Sequence, residues 1–277
     1  MIYRVFLRTF LFILAGLVFR FGIEWNPGLA LNSCWMSPWI VTPTFQAAPL
    51  LPADNLGFQV GEKLAYRISW SNFMEAGTAE LTVGPGSSTM PNSYRLQLKA
   101  VSTAAISRLY SFQDEFVSLF DAGLSAPTRF EKSFVERKRE VRETVIFDQF
   151  NHSATFAGGK QPAYRVAIDA GTQDPLSALY TVRSLVLKPG LQVVLPVLDG
   201  GKNFQLEIKV TGSDLISTAL GNFSTHRVEV GLRREGIPLT DKRITMWFTN
   251  DTRKVPVLAS ISLPFGAALI ELTSQSK

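Results

Sequence analysis

Cysteine and histidine are almost missing from this chain of 277 residues, which holds one of the first (Cys34) and two of the second (His152, His226). One cysteine excludes a disulfide within the chain. Two histidines far apart in sequence, neither with a Cys, a second His or a carboxylate at ligand spacing, leave no basis for a zinc or iron centre, which needs several such groups converging. Charge is also scarce, at 18% of residues. The first 47 residues carry Arg4, Arg8, Arg20 and Glu24, so the rest holds 25 basic and 22 acidic residues, net +3. The densest cluster, Glu136 to Glu140 with Arg142 and Glu143, alternates in sign and reads as a solvated hairpin. No basic tract marks a nucleic-acid binder. There is no G-x-S-x-G elbow. Gly84-Pro85-Gly86 and Gly158-Gly159-Lys160 are glycine-rich, but neither opens a helix as a phosphate loop must.

The apolar residues make up 46% of the chain, with Phe at 20 against 6 Tyr and 5 Trp. That is enough for one large core. Met1 to Arg8 is basic, and Thr9 to Phe19 is an eleven-residue apolar run. A basic n-region before a short apolar h-region describes a secretory signal peptide, and the run is shorter than the roughly 20 residues that span a bilayer. Three exits remain open: cleavage after Gly28-Leu29-Ala30 or Phe45-Gln46-Ala47, lipidation of Cys34 within Leu31-Asn32-Ser33-Cys34, or an uncleaved membrane anchor helped by Trp35 to Phe45. Residues 1–30 are thus a signal peptide or N-terminal anchor, and 31–57, with their prolines, are a linker.

From Phe58 the texture is that of strands. Lys63 to Trp70 alternates apolar and polar residues, placing Leu64, Tyr66, Ile68 and Trp70 on one face. Similar segments follow near 76–83, 94–101, 110–120, 128–135, 140–148, 153–157, 162–168, 191–198, 203–211, 223–233, 242–249, 256–263 and 267–273. Asp199-Gly200-Gly201-Lys202 is a hairpin turn signal. One strong helix interrupts them near 175–188: Asp174 caps, Pro175 suits the first helical position, and Pro189-Gly190 stops it. Leu176, Leu179, Tyr180, Arg183 and Leu187 share a face of it. Consecutive strands favour one antiparallel β domain over 58–274, an all-β fold with a strongly curved sheet or barrel-like shape, barrel, sandwich and half-barrel all remaining open.

Gly61 to Tyr66 with Trp70 and Gly77 resembles the opening of the domain-of-unknown-function family 3108. Gln173 to Tyr180 with Arg183 and Gly190 is similar to its central helix, and Trp247 to Val257 to its closing strand pair. The resemblance covers about 58–274 and implies a bacterial, exported protein with a curved β fold and no assigned activity.

Each of these positions also has a physical reading. Asp174 is a helix cap. Arg183, on the buried-leaning face, needs a carboxylate or carbonyl partner. Asp251 and Arg253 flank a turn and pair across it. Trp70 and Trp247 are core aromatics that anchor the sheet to the helix. These positions, with Tyr180 on the helix, form either a structural or a ligand-binding motif. No catalytic residue and no cofactor are expected. Carboxylates such as Glu62, Glu75, Glu80, Asp169 and Asp174 are too common to single out a hydrolytic pair, and a triad around His226 has no local support. Three functions remain open: binding of a lipid or lipoprotein segment inside the barrel, an envelope scaffold acting by protein contact, and an envelope hydrolase. The expected partners are a lipid or an envelope protein, with membrane association through the N-terminus, in a periplasmic or membrane-anchored setting.

Overall fold

A computed structural model describes residues 56–276 apart from 71–73, 91, 108–110, 137–138, 159–161, 240–242 and 264–265. The cleavage, lipidation and anchor expectations, Cys34 included, lie outside the described residues.

The first half of the domain is a meander of eight strands: β1 (Lys63–Trp70), β2 (Met74–Pro85), β3 (Ser93–Ser102), β4 (Gln113–Asp121), β5 (Ala126–Glu136), β6 (Arg139–Asp148), β7 (Ser153–Ala157) and β8 (Tyr164–Ala167), with a one-turn helix α1 (Ala104–Ser107) between β3 and β4. The second half comprises β9 (Gln192–Asp199), β10 (Lys202–Thr218), β11 (Gly221–Arg234), the two-residue β12 (Ile237–Pro238), β13 (Arg243–Thr249), β14 (Pro256–Leu263) and β15 (Gly266–Ser276). An antiparallel pairing of β1 with β15 joins the halves, giving one sheet in the order β8 to β1, then β15, β14, β13, β11, β10, β9. β5 and β6 pair out to Glu136 and Arg139, so the flanks of the charged run lie where the β5–β6 hairpin was expected, with 137–138 outside the described residues. Asp199 to Lys202 is the β9–β10 turn, with both central glycines at positive φ (53° and 74°), as a type I′ turn requires.

The one long helix, α2 (Pro175–Ser184), is the connection from β8 at one edge of the sheet to β9 at the other. It packs on β3 and β4 from the first half and on β9 from the second, so it lies in the concavity. Every residue from Leu176 to Ser184 is buried. The apolar spacing in the sequence picks out only one face, that of Leu176, Leu179, Tyr180, Arg183 and Leu187. The sheet instead surrounds it, which is why Ser177, Thr181, Arg183 and Ser184 must all find partners inside. The helix also ends three residues before Leu187, at an extended Leu185. Leu185 and Leu187 stay buried, so apolar periodicity continues past the point where the helix stops.

The two sheet edges are drawn together across the helix. The backbone of Gln173 donates to Pro196 O and accepts from Leu198 N, forming a parallel bridge to β9. Ile168 N donates to His152 O on the other side, and Asn203 Nδ2 donates to Ala167 O. Lys132 on β5 meets Asp199 at the end of β9 at 3.0 Å. The result is a barrel-like sheet closed by a strap, residues 168–174, and filled by a helix. Phe58, Phe116, Phe120, Phe130, Phe147, Phe156 and Phe248 all sit in its continuous core, so most phenylalanines among the described residues are core, Phe150 being an exposed exception.

Candidate functional site

The residues singled out from the sequence separate into three places. The first is the helix and the rim above it. Asp174 caps α2 as expected: its Oδ1 accepts from the backbone N–H of Leu176 and Ser177, at 2.8 and 2.9 Å, and Ser177 Oγ accepts from the Asp174 N–H in return. Ser118 Oγ on β4 donates to the other oxygen at 2.6 Å, tying cap to sheet. Burial lifts the Asp174 carboxyl to about 6, against the hydrogen bonds from Ser118, Ser177 and Leu176 that favour its charge.

Arg183 has the partners its position demanded. Glu62, just before β1, takes it bidentately, Nη1 at 2.6 Å and Nη2 at 2.8 Å. The carbonyls of Gly57 and Arg253 accept as well. Arg183 has no exposed surface and Glu62 only 2%. Burial opposes the guanidinium charge, but Glu62 more than offsets that and holds it charged. The guanidinium also lies 5.1 Å from the Tyr180 ring centroid and 5.8 Å from that of Phe58. Tyr180 and Phe58 meet edge to face at 4.9 Å. Burial pushes the Tyr180 hydroxyl far above its usual range, and that oxygen makes no hydrogen bond of good geometry. Gly57 approaches so closely (φ +73°) that a Cβ there would sit 2.6 Å from Arg183 O. Arg183 and the Ser184 hydroxyl, which donates to Leu56 O, therefore lock the start of the described chain onto the helix.

Asp251 and Arg253 do not pair through their side chains. Asp251 Oδ1 accepts from Thr249 Oγ1 and from the backbone N–H of Arg253 and Lys254, folding the β13–β14 turn on itself. The Arg253 guanidinium turns to Glu62 at 3.5 Å instead. The expected cross-turn pair fails because the short Asp side chain is saturated by local backbone donors.

The second place is the outer face at the base of the β10–β11 hairpin. Trp247 is half-buried, between the core residues Met246 and Phe248 on β13. Its Nε1–H donates to Asp214 Oδ2 at 2.7 Å, and Arg227 approaches the same carboxylate at 3.3 Å. Strand alternation turns Trp247 outward because Ile244, Met246 and Phe248 face in. Trp70 is the third place. It too is half-buried: it pairs with the buried Ala268 of β15 and so keeps the phase of Ile68, but it is the last residue of β1, beside the register shift in the β1–β2 pairing. The aromatics that hold the helix are Phe58 and Phe120, with Tyr66 donating to Pro256 O at 3.0 Å.

Sequence reasoning missed the ion cluster at the seam. Lys132 lies 3.0 Å from Asp199 and 3.1 Å from Glu143, with 6% of its surface exposed. Burial opposes its charge, but the two carboxylates outweigh that and hold the ammonium above its usual range. A buried-looking Lys between Phe130 and Phe134 on an alternating strand was the signal available.

Catalytic geometry finds little to build on. Ser213 Oγ lies 3.4 Å from His226 Nδ1, across an exposed strand pair and at the outer limit of hydrogen bonding. A shallow, wide-open depression is lined by Asn151, His152, Ser153 and Arg165 to Ala167. Among the described residues no group of His, Cys, Asp and Glu is placed to hold a metal ion, and no helix is long and apolar enough to cross a membrane. Inside the barrel, an apolar crevice of about 20 Å³ lies beside Leu179, lined by Tyr66, Leu98, Met246 and Ile270.

The family model DUF3108, described as a protein of unknown function, matches residues 65–273. The chain belongs to the DUF3108 family. Among curated proteins none matches the sequence. In solved structures, DUF3108 as seen in this chain is similar to a beta-barrel-like protein of the DUF1849 family from Brucella abortus, with 11% identity, a TM-score of 0.56, and 83% of this chain and 99% of that one covered. That likeness shows the barrel-like fold. A Bacteroides fragilis protein of YmcC-like fold, inferred to be exported, aligns at 9% identity and TM-score 0.35 over 83% of this chain and all of that one. A hypothetical protein of Chlamydia trachomatis aligns at 11% and 0.38 over 82% and 92%.

Proposed function

We propose that this DUF3108 chain is an exported envelope protein without catalytic activity that works through contacts on its outer surface, as a scaffold or assembly factor. The observation that carries the reading is the filled interior. A pocket for an acyl chain or other small ligand runs to a few hundred Å³, and the crevice beside Leu179 is about 20 Å³. The buried helix and its Arg183–Glu62 and Asp174–Ser118 ties occupy the place a carried lipid would need. A lipid-carrier reading thus requires α2 to leave the barrel, against every one of those contacts. Export is supported by the basic-then-apolar leader at Met1 to Phe19.

Photo-crosslinking in intact cells tests the reading. Benzoylphenylalanine is placed at exposed positions on separate faces (Phe150, Leu220, Ile237, Val101). The reading expects discrete adducts confined to one face. Uniform, weak labelling of all four would remove it.

A further inference from the structure

The reading above leaves open what the surface meets, and one part of the surface is chemically distinct. From Leu215 to Thr225 the sequence LISTALGNFST holds eleven residues without a charge. They form the tip of the β10–β11 hairpin. The tip outruns its neighbours: β9 pairs with β10 only as far as Lys209, and β13 pairs with β11 only as far as Thr225. Four residues of β10 beyond Asp214 therefore have ladder partners in β11 alone, an overhang of about 13 Å at strand rise. Leu215 is 69% exposed and Leu220 41%. Ile216 and Phe223 are half-buried, and Phe223 packs back on the core, steadying the base. The Asp214–Trp247–Arg227 contacts hold the hairpin where it leaves the sheet. Two other exposed apolar side chains stand beside charge, Phe150 near Asp148 and Ile237 near Glu235.

The tip also shares a rim with the N-terminal segment. Asn250 N donates to Ser224 O, and Asn250 belongs to the same turn as Arg253, whose carbonyl shares Arg183 with Gly57 O. The 55 residues before Leu56, which include the apolar run Thr9 to Phe19, thus join the domain one turn away from the hairpin tip.

We propose that the uncharged β10–β11 tip rests in the surface of a lipid bilayer, on the side of the domain where the N-terminal segment joins. An uncharged tip with bulky aliphatic side chains suits the boundary between headgroups and acyl chains. The outward backbone groups of a two-stranded hairpin still need water or headgroups, so the tip lies in the interface and does not cross it. This rests on the reading that the protein acts at its surface, and narrows it.

The test uses the full chain with Cys34→Ala and an environment-sensitive fluorophore on Ser217→Cys, at the tip, or on Ile237→Cys, at the far end of β11. Vesicles of phosphatidylethanolamine and phosphatidylglycerol are added, with or without brominated acyl chains. The expected result is a blue shift and bromine quenching at residue 217 but not at 237, both lost in Leu215→Glu/Leu220→Glu. If that variant misfolds, the contrast between 217 and 237 decides alone. No shift at 217, or equal shifts at both, overturns the proposal. A shift at 217 only when envelope proteins are added also overturns it, while leaving the surface-contact reading intact.

Discussion

Glu62→Gln removes one charge and almost no volume from the centre of the structure. Arg183 then keeps its carbonyl partners, Gly57 O and Arg253 O, but loses its counter-ion at a site with no exposed surface. Removing one partner of a buried pair costs about 3–5 kcal/mol, because the remaining charge is left in a poorly polarisable interior. The Arg253 guanidinium, 3.5 Å from the same carboxylate, loses part of its anchor as well. Domains of this kind hold roughly 5–15 kcal/mol in all, so the variant gives up about a fifth or more. With a urea slope of roughly 2–3 kcal/mol/M, the midpoint falls by about 1–2 M at unchanged slope. The double variant Glu62→Leu/Arg183→Met removes both charges and should lie far closer to the parent, since apolar replacement of an entire buried pair is often neutral. Equilibrium urea unfolding of the parent, Glu62→Leu, Arg183→Met and the double variant gives the coupling directly. A Glu62→Gln loss below about 1 kcal/mol would refute the claim that this pair locks the N-terminal segment, helix and β13–β14 turn together.

The Asp174 carboxyl titrates at about 6 when folded and 3.8 when not, so the folded chain keeps this proton to higher pH. Its contribution is fully present below about pH 4 and is lost as pH rises through 6, by about 3 kcal/mol for two pH units; Asp174→Asn should flatten that part of the profile of urea midpoint against pH, and parallel profiles for the two proteins would count against it. Lys132→Met strands Asp199 and Glu143 at the seam and should cost about 3–5 kcal/mol, with amide exchange quickening first in β8 and β9; unchanged exchange there would mean that the seam does not depend on this ion cluster. Trp247→Phe keeps the ring and deletes the Nε1–H bond to Asp214, a loss of about 1.5–3 kcal/mol for a bond to a charged acceptor, and should loosen the β10–β11 tip while leaving exchange in β1 to β4 unchanged.

The strands were legible because alternation and turn chemistry are local. Asp199-Gly200-Gly201-Lys202 and the 136–140 charge run mark their hairpins without help from the rest of the fold. So was the start of α2, where Asp174-Pro175 carries its own capping chemistry. Its end was not, since Leu185 and Leu187 are apolar for reasons of burial and not of helicity. The pattern also suggested a one-sided helix, because a chain cannot show locally that a sheet of fifteen strands wraps all the way round. Arg183 visibly lacked a partner, yet nothing in the sequence nominates Glu62, 121 positions away. Trp70 and Trp247 were misplaced for two different reasons. Trp70 keeps the phase of Ile68 but ends its strand, so it is only half covered, whereas Trp247 was one step out of phase with Met246 and Phe248, which the period of two already implied. The β10–β11 tip was legible as uncharged but not as overhanging, because overhang is a property of where β9 and β13 stop.

The central claim is that the barrel is filled by its own helix and carries nothing. Native mass spectrometry with organic extraction, on the full chain purified from cells without detergent, tests it most directly. The account predicts the mass of the polypeptide with no stoichiometric lipid in the extract. A one-to-one acyl lipid that survives purification would contradict it, and would mean that α2 yields its place in the barrel.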